Sequence, residues 1–357
     1  MKKLLILSTA LVGAGFAASA QELNIVSWGG AYTVSQVEAY HKPFPEMTGI
    51  KINSIDADNP ASPLKAQAEA GNVSIDLADV ELSDAIRLCD EGLLEEIDPA
   101  MLPPAPDGTP AIDDFVPGAI QDCAVANIVW GTVIAFDKTK FPDAPPSTLA
   151  DFFDLEKYPG KRGLLKSAKR TLEMALVADG VPSDQVYDVL GTDEGVARAL
   201  AKLDTIKDSV VWWEAGAQPP QLLADGEVVM TTGYNGRFFA AEVGEGKPFG
   251  TIWDGTYMDY DLWVIPKGAP NKDAAMKFLA FSTDTQRLAD QAKWIAYGPA
   301  RKSSSALVSL YQDGKTEMAP YMPTNPANMI NPIWTDPTFW ADRDVELSER
   351  FNAWLAS

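Results

Sequence analysis

Residues 23–40 read LNIVSWGGAYTVSQVEAY. The apolar run 23–26 has the length and composition of a buried strand, Gly29-Gly30 breaks it, and 34–40 continues with apolar residues at helical spacing. The same order recurs downstream. Residues 49–55 (GIKINSI) alternate as a strand, and a helix follows from Ser62-Pro63, where proline suits the first turn and Gly71 the stop. Residues 73–80 form a third strand, and Ser83-Asp84 opens a helix that ends at Gly92. Strands that alternate with helices predict an α/β fold with a mainly parallel sheet covered on both faces.

Residues 127–137 (NIVWGTVIAFD) read as a further buried strand. Beyond it, helices at 149–153, 171–178, 196–205 and 220–224 alternate with strands at 163–165, 210–213 and 227–232. A strand at 261–266 then leads into amphipathic helices at 273–281 and 283–294, and the chain ends in one helix at 344–355.

The first 20 residues have a Lys2-Lys3 start, an apolar middle and a small-residue end, the three regions of a secretory signal peptide. No cysteine follows, so export without a lipid anchor, to the periplasm, is expected. The remaining 337 of 357 residues exceed what one core usually serves, which predicts two lobes. The formal charge of -21 argues against nucleic acid or anionic membrane as a partner. Cys89 and Cys123 are the only cysteines; in an oxidising compartment they suit one disulfide, a free reactive thiol being the alternative.

A single histidine, His41, leaves no parts for His-assisted catalysis or a His-rich metal site, and neither metal nor cofactor is expected. His41 itself reads as a surface residue. Asp254 beside Gly255 reads as a turn. Asp259 and Asp261 are two apart and share a strand face with Tyr257 and Trp263. Such a pair is open to three readings: a carboxylate-dependent hydrolase, a cage for a cation, or the polar face of a strand.

Trp28 and residues 81–83 sit at strand ends, where open α/β sheets bind ligands, although Trp28 could equally plug the sheet. In GYNGR (233–237), Asn235 suits a helix cap, and the helix start with Arg237 offers an anion a place; a capped surface helix with a solvated arginine is the plainer reading. Lys169 and Arg170 stand at a helix start, where positive charge is unfavourable, so a bound carboxylate or a nearby acid should compensate them.

The order of these motifs resembles the periplasmic solute-binding proteins of ABC importers, specifically the spermidine/putrescine-binding type. The matching stretches are LNIVSWGGAY with EMTGIKI (23–52), IDLADVELSDAIRLCDEGLLEEID (75–98), NIVWGTVIAFD, LEMALVADG (172–180), LLADGEVVMTTGYNGR (222–237), YDLWVIPKGAPNKDAAMKFLAF (260–281) and AYGPARKS (296–303). The resemblance implies a two-lobed, type II binding-protein fold. The first lobe would comprise 21–135 and 265–305 and the second 136–264, with 306–357 a helical segment across both. It also implies a monomer, a small amine-containing solute, and an inner-membrane permease as partners.

By similarity Trp28, Tyr32, Glu81, Ser83, Tyr234 and Tyr297 would line the cleft, and Asp261 would pair with the substrate amine. Asp259 stands near the family's cage tryptophan and departs from it. Where polyamine binders place acids for a second amine, this chain has Ser167 and Arg170. That departure favours a zwitterion, such as a γ-amino acid or an opine, over a diamine, whose far end would meet repulsion of about 1–4 kcal/mol per close contact.

Overall fold

The computed structural model describes residues 21–357, so the expected signal peptide lies outside the described residues. The strand Glu22–Ser27 lies parallel to Lys51–Asp56 on one side and Leu77–Glu81 on the other. A second parallel trio consists of Val210–Trp213, Arg162–Leu165 and Met230–Tyr234. Two long strands, Ala124–Asp137 and Phe249–Val264, join the trios and pair antiparallel with each other. Phe249–Val264 also runs antiparallel to Leu77–Glu81, and Ala124–Asp137 runs antiparallel to Met230–Tyr234. The sheet is therefore parallel in both wings but antiparallel along the seam, because the seam is built from strands that run from one wing to the other. The mainly parallel pairing expected of each lobe is found in the wings, and the strands that join them add an antiparallel seam.

The two wings have separate apolar cores. One gathers Leu23, Ile25, Leu77, Val80, Leu262 and Trp263 under the helix residue Phe278. The other gathers Ile134, Phe152, Leu172, Leu176 and Leu190 with Trp340 and Phe351 of the C-terminal helix. That helix runs Pro337–Leu355, about two turns longer than the sequence suggested, because Asp336 caps it by accepting the Phe339 N–H at 2.9 Å. It packs against both the helix Leu82–Asp90 and the helix Ala168–Ala178.

Two local expectations need correction. His41 is buried rather than exposed, its ring 5.7 Å from that of Phe278, and burial pushes its pKa down to about 4. The first helix ends in a π-type turn at Val37–His41, whose extra residue rotates the side chains away from the plain helical phase. The expected turn at Asp254-Gly255 is an excursion within one strand. Ile252 and Tyr257 still pair with Ile134 and Thr132, the intervening residues loop out, and Gly255 takes φ +70°. Asp254 there accepts the Leu149 N–H at 2.8 Å and holds the start of the helix Leu149–Phe153.

Cys89 and Cys123 form a disulfide that ties the helix Leu82–Asp90 to the entrance of the first long strand, across 34 residues of chain. Closing a loop of that size should contribute about 3–4 kcal/mol. Urea unfolding with and without reductant should show that loss; an unchanged midpoint would mean that the thiols are not bridged in solution.

Candidate functional site

The first strand delivers Trp28 to the sheet edge, and the left-handed Gly29-Gly30 turn starts the helix Gly30–Gln36. A Cβ on Gly30 would lie 2.8 Å from Arg237 Nη1, so the glycine permits a close approach between the wings. The helix turns Tyr32 and Gln36 inward onto Asp79. Tyr32 donates its hydroxyl to Asp79 Oδ2 at 2.8 Å, Asn127 donates Nδ2 at 2.9 Å, and Gln36 adds a third bond. Asp79 Oδ1 has no partner. Burial outweighs the three donors and raises this carboxyl to about 7. Tyr32 also stands edge-to-face with Tyr297, their centroids 5.5 Å apart.

Glu81 ends the third strand and Ser83 lies in the first turn of the following helix. Lys169 Nζ donates to Glu81 Oε2 and to Ser83 Oγ, both at 2.8 Å, while Arg170 Nη1 donates to Glu81 Oε1 at 2.6 Å. Burial alone would raise Glu81, but the Arg170 guanidinium and the Lys169 ammonium win and hold it at about 2. The cations at this helix start are thus compensated by acids of the chain itself. Lys169 (ψ 135°) and Arg170 (φ +75°) leave the helical conformation, which turns both side chains toward Glu81.

The long strands bring Asp261 opposite Glu81 on one side and Ile128 on the other. Asp261 Oδ1 accepts the indole N–H of Trp130 at 2.9 Å. Burial, then the negative charges of Asp79, Glu81 and Asp259, raise Asp261 well above the carboxylate range. Asp259 is fully buried; its Oδ1 accepts the Tyr260 N–H at 2.8 Å and its Oδ2 lies 3.4 Å from Lys169 Nζ. Burial raises it to about 6.

In the opposite wing, Tyr234 ends its strand and Asn235–Phe239 starts a short helix that continues as a π-type turn at Ala240–Gly244. Asn235 is not a cap. Its Oδ1 accepts the Gly131 N–H at 3.1 Å and its Nδ2 donates to the Ala296 carbonyl, so its side chain serves the tertiary fold. Arg237 is buried rather than solvated: Nη2 donates to the Trp28 carbonyl at 3.0 Å, Nε has no partner, and among the described residues no acid pairs with it.

Trp28, Tyr32, Glu81, Tyr234, Arg237, Asp261 and Tyr297 line one cavity of about 360 Å³. Ser83 and Arg170 line an adjoining cavity of about 430 Å³, which shares Trp28, Glu81 and Tyr234 with the first. Asp259 lines neither. Sequence reasoning missed Trp130 and Gly216, which line the first cavity, and it read Lys169, which lines the second, only as a cation in need of compensation. A tryptophan in an apolar strand and a lone glycine carry no signal that separates packing from lining. No cluster of His, Cys, Asp and Glu among the described residues could hold a metal ion.

Residues 39–324 match the family model for bacterial extracellular solute-binding proteins. The chain belongs to that family. Its similarity extends to the gamma-aminobutyric acid-binding protein of Pseudomonas aeruginosa, 45% identical over 350 residues that cover 97% of this chain and 95% of that one. Among solved structures, the solute-binding protein is similar to the PBP MotA of Agrobacterium tumefaciens B6 in complex with glucopine. That pair has a TM-score of 0.84 and 32% identity, covering 94% of this chain and 100% of the other. It is also similar to a GABA receptor, with a TM-score of 0.79 and 34% identity over 94% of this chain and 98% of that one. The two-lobed solute-binding architecture read from the motifs is thus that of the family.

Proposed function

We propose that this solute-binding protein captures γ-aminobutyrate or a closely similar zwitterion between its wings, in the periplasm, and passes it to the permease of an ABC importer. The observation that carries the reading is Arg237, a buried cation without an acid partner, in the same cavity as Asp261. The ligand ammonium is assigned to Asp261 and its carboxylate to Arg237, with Trp28, Tyr234 and Tyr297 as aromatic walls. This revises the role inferred for Arg170, whose charge is already taken by Glu81. An opine would extend from the first cavity into the second. The relatives named above, which bind γ-aminobutyrate and glucopine, support this class of ligand.

Residues 21–135 with 265–305 and residues 136–264 are proposed as the two lobes, 306–357 as a segment lying across both, and the protein as a monomer. A hydrolase built on Asp259 and Asp261 is disfavoured, because the two acids face no common cavity and the family is one of binding proteins.

Isothermal titration of the chain from residue 21 with γ-aminobutyrate, opines, α-amino acids and putrescine tests the proposal. Tight stoichiometric binding of a zwitterion is expected; tighter binding of putrescine would sink it. Ligand entry should also release a proton. Burial, then its acidic neighbours, disfavour the anion and raise the unliganded Asp261 carboxyl well above the carboxylate range, and a ligand ammonium reverses that preference. Affinity should therefore increase as pH rises above the ordinary carboxylate range toward the raised pKa of the free carboxyl, and within that range the binding enthalpy should vary with the ionisation enthalpy of the buffer. A flat profile would remove Asp261 as the ammonium partner.

A further inference from the structure

Lys169 makes contacts that would suit a bound ammonium better than a surface lysine. Its Nζ is surrounded by Glu81 Oε2 at 2.8 Å, Ser83 Oγ at 2.8 Å and Asp259 Oδ2 at 3.4 Å. All four residues are buried, Lys169 itself being 6% exposed. Asp259 Oδ2 makes no hydrogen bond and has only this ammonium before it. The lysine reaches the position through a backbone that departs from helical geometry at Lys169 and Arg170, with Arg170 at φ +75°. An interrupted helix start and a buried lysine are both costly, so local propensity does not account for the arrangement.

Arg170 binds the other Glu81 oxygen and lies over the ring of Trp130, 5.5 Å from its centroid. Glu81 would therefore keep a partner if Lys169 were absent, whereas Asp259 would lose the one cation at ion-pair distance among the described residues. The place borders the second cavity, which adjoins the one that holds Asp261.

We propose that Glu81, Ser83 and Asp259 form a second ammonium site, and that Lys169 fills it as a tethered cation, restricting the cleft to solutes with one amine. Shortening the side chain vacates the site for the far ammonium of an α,ω-diamine whose first ammonium lies at Asp261. The diamine part of this inference rests on the ligand reading above; the existence of the second site does not.

The test uses Lys169→Ala, with Lys169→Met as a filled but uncharged control. Methylammonium chloride, compared with equal sodium chloride, should raise the melting temperature of Lys169→Ala by more than that of wild type or Lys169→Met, in which only the place at Asp261 is open to it. Putrescine should bind Lys169→Ala about 100-fold tighter than wild type, as attraction replaces a like-charge contact. Because Asp259 would stand unpaired in the single variant, Lys169→Ala/Asp259→Asn serves as the folded reference, and it should lose both the excess over wild type and the putrescine gain. A methylammonium effect no larger than that of wild type in a Lys169→Ala protein with native circular dichroism would overturn the second site, as would an undiminished excess in the double variant. A methylammonium effect without the putrescine gain would overturn the diamine geometry. Titration of wild type with γ-aminobutyrate separately decides the ligand reading.

Discussion

Replacing Asp261 with Asn is expected to weaken binding of γ-aminobutyrate by about 100-fold or more, while the unliganded protein becomes as stable as wild type or more so. Both signs come from the same environment. The carboxyl is buried beside Asp79, Glu81 and Asp259, and these surroundings raise its pKa well above the usual range. In the folded state it binds a proton more tightly than in the unfolded chain. Stability from this group is therefore fully present below the ordinary carboxylate pKa and is lost as pH rises toward the raised one. The amide keeps the shape and the acceptor for Trp130 Nε1 without that loss. What it cannot do is ionise against an ammonium, and losing one partner of a desolvated charge pair costs about 2–5 kcal/mol. Titration and thermal unfolding of the same preparation measure the two effects; a variant with wild-type affinity would remove Asp261 from the site.

Arg237→Gln should produce the second large loss, and only for ligands that carry a carboxylate. Arg237 is held by the Trp28 carbonyl with its Nε unpartnered, so its charge awaits an anion. With the anion bound, the pair belongs to the same energetic class as the ammonium contact, and glutamine should weaken γ-aminobutyrate by about 100-fold. 4-Aminobutanol lacks the carboxylate, so its affinity should change by less than about threefold, on the scale of one neutral hydrogen bond. The ratio of the two affinities is the useful quantity, because loss of the Trp28 contact lowers both alike. Equal losses for both ligands would show that Arg237 only supports the fold.

Much of the architecture was legible because Gly29-Gly30, Pro63 and Gly71 punctuate strands and helices where local chain stiffness decides. The seam was not, since the antiparallel pairing of residue 261 with residue 81 joins segments 180 positions apart. The acids show the same limit. Asp259 and Asp261 have identical alternation in sequence, yet Asp261 lines the cavity while Asp259 is buried against Lys169, a partner contributed by a distant helix start. His41 and Asn235 were misplaced for related reasons. A π-type turn rotated one, and tertiary backbone groups claimed the other in place of a local cap.

The long strands belong to both cores at once: Phe249–Val264 places Ile252 and Tyr257 in one and Leu262 and Val264 in the other. Ala124–Asp137 is divided in the same way, with Val125 and Val129 on one side and Ile134 and Phe136 on the other. Neither core can melt without stripping strands from its neighbour, so the molecule should denature as one cooperative unit despite its separate hydrophobic centres. Scanning calorimetry should then give a single endotherm whose van't Hoff and calorimetric enthalpies agree. The protein would lack a half-folded state in which one wing remains able to grip its share of the solute.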